Sequence, residues 1–298
     1  MLSLRRSLCR ARVLVPLAAV LIAGLLYWHP WRRPITIVEK VNPRDGAALV
    51  WVPSGSFRMG TSDRTVVKTL TKEKKWIELR DVMGNRLRGE TDFGEQPVHT
   101  VLLDGYWIYK YEVTVAQYRA FCRATGRKMP AKPAWGWQDD YPVVNVSWLD
   151  AQAYATWAGA ILPTEAQWEK AASSVDGRLF PWGNVWDGGK CRNRSINAKT
   201  SQPAAVGSYP AGASPYGAQD MAGNVWEWCA DWYDEGYYPK SPARNPTGPV
   251  KGFQRAKRGG SWRVVNPFFL RAAGRSMCYP GAGADVIGFR CVVRSPGP

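Results

Sequence analysis

The segment Asp220–Tyr233 reads Asp-Met-Ala-Gly-Asn-Val-Trp-Glu-Trp-Cys-Ala-Asp-Trp-Tyr, and the interpretation of the fold starts from it. It places three tryptophans and one tyrosine beside three carboxylates within fourteen residues. Aromatic side chains at this density fill a hydrophobic core, whereas a core excludes carboxylates that have no partner. We therefore expect the acids of this segment to be bound to a cation or to basic side chains.

Calcium is one candidate for that cation. Asp220 and Glu227 offer carboxylate oxygens, and the backbone carbonyls of Gly223 and Val225 lie between them in sequence. Calcium accepts carboxylate and carbonyl oxygens together in a loose geometry. The segment therefore predicts a calcium site formed by these four residues. The alternative is that Glu227 and Asp231 form ion pairs with some of the many arginines.

Composition predicts a folded globular protein with much irregular chain. The 298 residues are 45% hydrophobic and include 16 tryptophans, which is not typical of disorder. The 29 glycines and 22 prolines indicate many turns and loops. The formal net charge is +16, but no run of five basic residues occurs. Anionic partners suit this charge, whereas a nucleic-acid partner is not indicated.

Histidine and cysteine usage restricts the possible chemistry. His29 and His99 are the only histidines, which excludes a histidine-rich metal centre and leaves His99 alone for a serine–histidine triad. None of the six cysteines lies in a Cys-x-x-Cys pair. Zinc sites and thioredoxin-like redox sites are therefore not indicated.

The N-terminus is predicted to be a membrane signal anchor. Residues 1–12 carry four arginines and precede an apolar, uncharged segment, residues 13–28. The positive charge on the N-terminal side predicts that residues 1–12 stay in the cytoplasm and the rest is exported. A helix of this length spans about 24 Å, less than the ~30 Å hydrocarbon core, so a cleaved signal peptide is the alternative. We expect a single-pass protein of the bacterial inner membrane with its domain in the periplasm, or a secreted protein if the segment is cleaved.

The exported part is predicted to be one α+β domain, residues 48–293, between a linker, residues 29–47, and a tail, residues 294–298. Alternating apolar residues predict a pair of strands over Leu49–Met59 with a turn between them. Val143–Val146 reads as a further short strand. Thr114, Ser147 and the Pro163–Glu169 segment mark the starts of three helices.

Nine motifs occur in order along the domain: Trp51–Gly60, Glu95–His99, Glu112–Tyr118, Pro142–Trp148, Leu162–Lys170, Pro181–Asn184, Asp220–Trp228, Arg258–Trp262 and Gly288–Cys291. Together they resemble the formylglycine-generating enzyme family, also called sulfatase-modifying factor domains. The resemblance implies that family's variant of the C-type lectin fold, which has little regular secondary structure. It also implies calcium at the positions that match Asp220, Gly223, Val225 and Glu227.

The chain departs from the family after the Arg258–Trp262 motif. Family members that oxidise a substrate cysteine to formylglycine carry two cysteines shortly after it, and soft thiolates of this kind suit copper(I). Here residues 263–275 read Arg-Val-Val-Asn-Pro-Phe-Phe-Leu-Arg-Ala-Ala-Gly-Arg, with no cysteine. Cys278 comes too late to match either position. The sequence therefore predicts no copper site and no copper–cysteine oxidase chemistry.

Three functions remain open. The first is an exported, membrane-anchored member that binds or matures a periplasmic peptide, protein or small molecule. Some family members act in the periplasm without the cysteine pair, for instance in the maturation of pyoverdine-type siderophores. The second is an oxidase or other oxidoreductase that uses unrecognised residues. The third is a ligand-display module in which residues 263–286 form the contact surface.

A groove containing Ser261, Trp226, Arg271 and Arg275 is the candidate site for the second function. The two arginines are suited to holding an anionic peptide or a carboxylate, because a guanidinium binds a carboxylate through two parallel hydrogen bonds. The alternative for both is ion pairing with buried acids of the domain.

Overall fold

The computed structural model describes residues 35–61, 94–194, 201–294 and 296–298. The predicted cytoplasmic segment, residues 1–12, and the predicted anchor, residues 13–28, lie outside the described residues. Within the described ranges no helix combines the length and apolar character needed to cross a bilayer. The chain divides into two units, Met1–Ile35 and Thr36–Pro298, and the architecture that follows is that of the second.

Ten short strands are found among the described residues, and they form three sheets. Two sheets have four strands each, in the orders β1–β2–β5–β10 and β8–β7–β6–β9, and β3 pairs with β4 alone. All neighbours are antiparallel except β6 and β9. The strands are β1 Glu39–Val41, β2 Ala48–Val52, β3 Gly55–Met59, β4 His99–Leu103, β5 Tyr106–Tyr109, β6 Trp226–Trp232, β7 Arg255–Arg258, β8 Arg275–Cys278, β9 Ile287–Gly288 and β10 Val292–Val293.

The strands predicted over Leu49–Met59 are confirmed as β2 and β3, but they do not pair with each other. β2 joins β5, and β3 joins β4. The Nζ atom of the buried Lys170 donates to the carbonyls of Pro53 at 2.7 Å and Gly55 at 2.9 Å. These bonds fix the connection between β2 and β3 to the buried Lys170.

Three helices follow the predicted starts: α1 Val115–Thr125, α2 Trp148–Trp157 and α3 Glu165–Ser173. Each begins with a capping box, in which a hydroxyl side chain and the residue three positions later bond each other's backbone amides. The predicted caps Thr114 and Ser147 are confirmed, and Thr164 caps α3. Helix α1 ends at Gly126, whose φ of 70° suits glycine.

The strand predicted over Val143–Val146 is wrong. Val143, Val144 and Val146 are fully buried, as an apolar run should be. Their backbone nevertheless has no single partner strand: the amide of Val143 donates to Val113, while that of Asn145 donates to Ala284. Burial therefore explains this apolar run, and regular pairing does not.

Residues on both sides of the predicted domain, residues 48–293, make contacts with it. Strand β1 lies inside the segment predicted as a linker, and Asp45 accepts hydrogen bonds of 2.6 Å from the hydroxyls of both Tyr109 and Tyr154. At the other terminus the Trp107 indole donates to the carbonyl of Pro296 at 3.3 Å. These contacts attach both ends of the unit to the first sheet.

Removal of the Asp45 carboxylate is expected to destabilise the domain. Asp45→Ala leaves two largely buried tyrosine hydroxyls without their acceptor and should lower the free energy of unfolding by about 2–3 kcal/mol. Chemical denaturation monitored by tryptophan fluorescence measures this change. The control is Asp139→Ala, which removes an exposed partner of Arg119 and should cost less than about 1 kcal/mol. Equal losses in the two variants would contradict the prediction.

Candidate functional site

The Asp220–Tyr233 segment supplies β6, the strand on which the candidate site is built. Its residues Trp226–Cys229 are all buried, and β6 lies between β7 and β9 in its sheet. The Trp228 indole donates to the carbonyl of Val146 at 3.1 Å. The aromatic side chains therefore fill the core as the composition predicts, and Glu227 is carried into the interior with them.

Glu227 is fully buried and is held by three donors. The Arg290 guanidinium bonds both of its oxygens, at 2.6 and 2.7 Å, and the Trp168 indole donates at 2.8 Å. This is the ion pair that the sequence left open as the alternative for Glu227. The second acid of that alternative, Asp231, instead accepts the backbone amide of Glu165 at 3.0 Å.

Two further acids lie in the same electrostatic environment. Burial raises the pKa of Asp220 to about 6, against the opposing effects of the Gly207 amide and of Arg290. Burial also raises the pKa of Glu112 well above its usual range, and the charges of Asp220 and Glu227 add to that rise. The carboxylates of Glu112, Asp220 and Glu227 thus repel one another beside the guanidinium of Arg290. An added cation would relieve this repulsion.

The described residues fit an oxygen-seeking cation next to Asp220. Glu112 Oε1 and Gln219 Oε1 are buried acceptors without a hydrogen-bond partner, and such atoms indicate a missing ion or water. Glu227 receives three hydrogen bonds, whereas a carboxylate has about four lone-pair positions, so one remains. Asp220 and Glu227, with the carbonyls of Gly223 and Val225, would hold calcium, and its positive charge would offset the repulsion between the carboxylates.

Such a site depends on carbonyls as well as carboxylates. Across the described parts of the chain, no three His, Cys, Asp or Glu side chains are placed to share a metal ion. Calcium tolerates a mixed set of this kind, whereas transition metals prefer side-chain nitrogen or sulfur. Calcium therefore stays a prediction for these four residues.

The predicted groove residues are all buried in the structure. Arg271 bonds both oxygens of Glu95 at 2.8 and 2.9 Å, and Arg275 bonds both oxygens of Glu165 at 2.8 and 2.7 Å. Ser261 and Trp226 are 1% and 7% exposed. The guanidinium groups proposed for an anionic ligand are thus engaged by glutamates of the domain, as the alternative for both arginines expected.

The two glycines before Ser261 allow a tight, closely packed turn of the backbone. Gly259 and Gly260 have φ values of 92° and 77°. A Cβ atom on Gly260 would lie 2.5 Å from Leu270 and 2.9 Å from the carbonyl of Phe269. Only glycine meets both demands, because the left-handed conformation and the close approach each disfavour a side chain. The Arg258–Trp262 motif therefore fixes the position of the residues that follow the turn.

A cluster follows this turn, and we call it the Trp262 surface; its residues are the partly exposed Trp135, Arg263, Val264 and Asp285 around the buried Trp262. The Arg263 guanidinium lies 4.6 Å from the Trp262 ring and bonds Asp285 at 2.6 Å. Trp135 meets Trp262 edge to face at 5.7 Å. The surface combines aromatic and aliphatic area with one ion pair, which suits contact with an organic ligand or a peptide.

The cysteines of the described residues lie away from the surface. Cys122, Cys191, Cys229, Cys278 and Cys291 are all buried and form no disulfide. Burial raises the pKa of Cys191 to about 12 and the pKa values of Cys229 and Cys291 well above their usual range. Cys191, Cys229 and Cys291 therefore stay protonated at neutral pH, and a protonated thiol is a poor metal ligand and nucleophile.

Three residues of the calcium region are not among the four predicted ligands. Glu112 and Arg290 occur inside the motifs, and Gln219 precedes the Asp220–Trp228 motif by one residue. Motif membership was the signal available for Glu112 and Arg290. It could not show that they converge, because Glu112 and Arg290 are far apart in sequence.

Calcium is expected to raise the thermal midpoint of the full chain, and EGTA to lower it, because the ion would neutralise buried carboxylates. Asp220→Asn should weaken calcium binding roughly tenfold by removing one ligand charge, while asparagine tolerates the φ of 58°. Isothermal titration calorimetry on chelator-treated protein measures the affinity. Asp104→Asn, at an exposed pair with Arg244, is the matched control. Absence of binding heat at millimolar calcium would overturn the prediction.

Comparison with known proteins agrees with this architecture. The model of the "sulfatase-modifying factor enzyme 1-like domain" matches residues 36–295. The formylglycine-generating enzyme of Streptomyces coelicolor is 33% identical over an alignment of 311 positions. The alignment covers 84% of this chain and 90% of that protein. Hercynine oxygenase of Mycolicibacterium smegmatis is 36% identical over an alignment of 320 positions, which covers 86% of this chain and 68% of that protein.

A solved structure supports the same fold. PvdO from Pseudomonas aeruginosa superposes with a TM-score of 0.69 at 26% identity, covering 88% of this chain and 98% of that one. The mixed helices and sheets therefore form the formylglycine-generating-enzyme type of C-type lectin-like fold, as the sequence predicts. On the motifs, the fold and the match over residues 36–295, the chain belongs to the sulfatase-modifying factor family, which includes the formylglycine-generating enzymes.

Proposed function

We propose that this chain is an exported, membrane-anchored member of the family that binds or matures a peptide, protein or small molecule in the periplasm without copper–cysteine oxidation. The observation that carries the proposal is the chemistry of residues 263–275. This segment contains no thiol, and Val264 and Phe269 are packed against the core with part of their surface exposed. Hydrocarbon side chains cannot ligate copper(I).

Other cysteines of the described residues do not substitute for the missing pair. Cys278, the next cysteine along the chain, is buried in β8 and is paired in register with Arg255 of β7. The remaining cysteines of the described residues are buried as well. The donor set around the Trp262 surface therefore does not fit copper(I), and no step through that metal is assigned to this chain.

The Trp262 surface is the proposed contact site for the substrate. Trp135 provides partly exposed aromatic area that rests on the buried Trp262, and the Arg263–Asp285 pair provides one donor and one acceptor group at its edge. Arg263 is about a third exposed and Asp285 slightly less. A partly exposed pair can exchange its mutual bond for bonds to a ligand at modest cost, since such pairs are only weakly stabilising.

Export and anchoring rest on the sequence pattern of the N-terminus. The arginine-rich residues 1–12 and the apolar residues 13–28 have the charge asymmetry of a signal anchor. An anchored domain would meet its substrate at the periplasmic face of the inner membrane. This location suits a maturation step that acts on exported molecules.

The purified full chain is expected not to convert cysteine to formylglycine in a sulfatase-derived peptide, with or without added copper(I). Mass spectrometry of the peptide is the measurement, and the Streptomyces coelicolor enzyme is the positive control. The physical reason is that the cysteines of the described residues are all buried. Copper-dependent turnover that disappears in Cys278→Ser but persists in Cys122→Ser would refute the proposal and revive the oxidase alternative.

Anchoring has a separate test. The full chain, expressed in a Gram-negative host, is expected to remain in the membrane pellet after an alkaline carbonate wash and to be digested by protease added to spheroplasts. Both outcomes follow if residues 13–28 stay in the bilayer with the domain outside. A soluble periplasmic product whose mass lacks the N-terminal segment would replace the anchor with a cleaved signal peptide.

A further inference from the structure

The loop before β7 exposes two large apolar side chains. Val250 is 100% exposed and Phe253 is 89% exposed, and Lys251 between them is exposed too. We call residues 250–253 the apolar tip. Side chains this exposed project from the surface, and phenylalanine is costly to leave in water. A function in contact with an apolar medium would account for their position.

The apolar tip is held on a fixed frame. Gly248 has a φ of 77°, and a Cβ atom there would lie 2.7 Å from the Cβ of the buried Asp231. A Cβ atom on Gly252 would lie 2.9 Å from the Cβ of Trp232. After the tip, the amide of Tyr233 donates to the carbonyl of Gln254 at 2.8 Å. Both sides of the loop therefore pack closely against β6, so Val250 and Phe253 are presented by rigid backbone.

Aromatic and basic groups lie behind the apolar tip. The Arg255 guanidinium is stacked between the rings of Trp232, at 3.5 Å, and Trp148, at 3.8 Å. Two more exposed apolar residues adjoin this stack: Leu149, 60% exposed, follows Trp148, and Tyr279, 64% exposed, follows the strand residue paired with Arg255. The backbone amide of Trp148 donates to the carbonyl of Pro280, which brings the segment of Leu149 close to that of Tyr279.

We propose that the apolar tip inserts into the interfacial region of an anionic phospholipid bilayer. Projecting valine and phenylalanine side chains suit insertion between acyl chains. Tryptophan and tyrosine beside them are typical of the headgroup level, and lysine is attracted to anionic headgroups. The chain's net charge of +16 complements such a surface. The inference does not depend on the chemistry of the Trp262 surface.

Site-specific photocrosslinking of the full chain in vesicles tests the proposal. A benzoylphenylalanine residue is placed at Phe253 or, as the matched control, at Val185, an apolar residue that is 80% exposed elsewhere on the domain. Vesicles contain phosphatidylcholine with or without phosphatidylglycerol. Lipid adducts, measured by mass spectrometry after illumination, should form at position 253 about fivefold more than at 185. Phosphatidylglycerol should increase the yield at position 253.

A second variant separates the role of charge from that of apolar contact. Lys251→Glu should lower the lipid-adduct yield at position 253 several-fold in phosphatidylglycerol vesicles and leave it unchanged in pure phosphatidylcholine. Equal yields at positions 253 and 185 would overturn the proposal. Crosslinks from position 253 to a second copy of the chain, in place of lipid, would overturn it too and would assign the tip to self-association. Neither result would alter the peptide-oxidation test of the proposed function.

Discussion

Buried arginine–glutamate pairs are the interactions on which the rest of this structure depends. Five arginines of the described residues are buried, and four of them each bond a buried glutamate. Removing one member of such a pair costs about 3–5 kcal/mol, because the remaining charge is left in a low-dielectric interior. The described part of the domain has short strands and three α-helices, so these pairs supply long-range connections that long strand ladders provide in other folds. The pairs are Arg258 with Glu165 and Glu169, Arg271 with Glu95, Arg275 with Glu165, and Arg290 with Glu227.

Helix α3 supplies the centre of this network. Glu165 and Glu169 are four residues apart and therefore lie on one face of the helix, where Arg258 bonds both. Arg258 is the last residue of β7 and immediately precedes the Gly259-Gly260 turn that leads to the Trp262 surface. The network thus fixes the start of that turn. A site presented on a strand end that is anchored by ion pairs is more sharply positioned than one on a free loop.

This chain has the motifs that build the family's fold but lacks the cysteine pair that carries the family's oxidase chemistry. The motifs that build the scaffold are present from residue 51 to residue 291, and the segment that would bear thiolates, residues 263–275, contains no cysteine. The same separation applies to the oxygen-rich region around Asp220, whose unpaired Glu112 and Gln219 atoms suit a structural ion and do not require a redox metal. Fold membership alone therefore does not carry activity, and the side chains at the site decide it.

The sequence by itself determined the local elements and the family. Hydroxyl residues three positions before glutamine or aspartate specified the helix starts, and the ordered motifs specified the fold, because both signals are short-range and survive in one sequence. The loss of the thiol pair is likewise a fact of composition. Only the tertiary structure decided which acid meets which arginine, since Glu95 and Arg271 are 176 residues apart and Glu227 and Arg290 are 63 apart. It also separated β2 from β3 and left Val143–Val146 irregular, because strand partners are chosen by long-range packing, which no local pattern encodes.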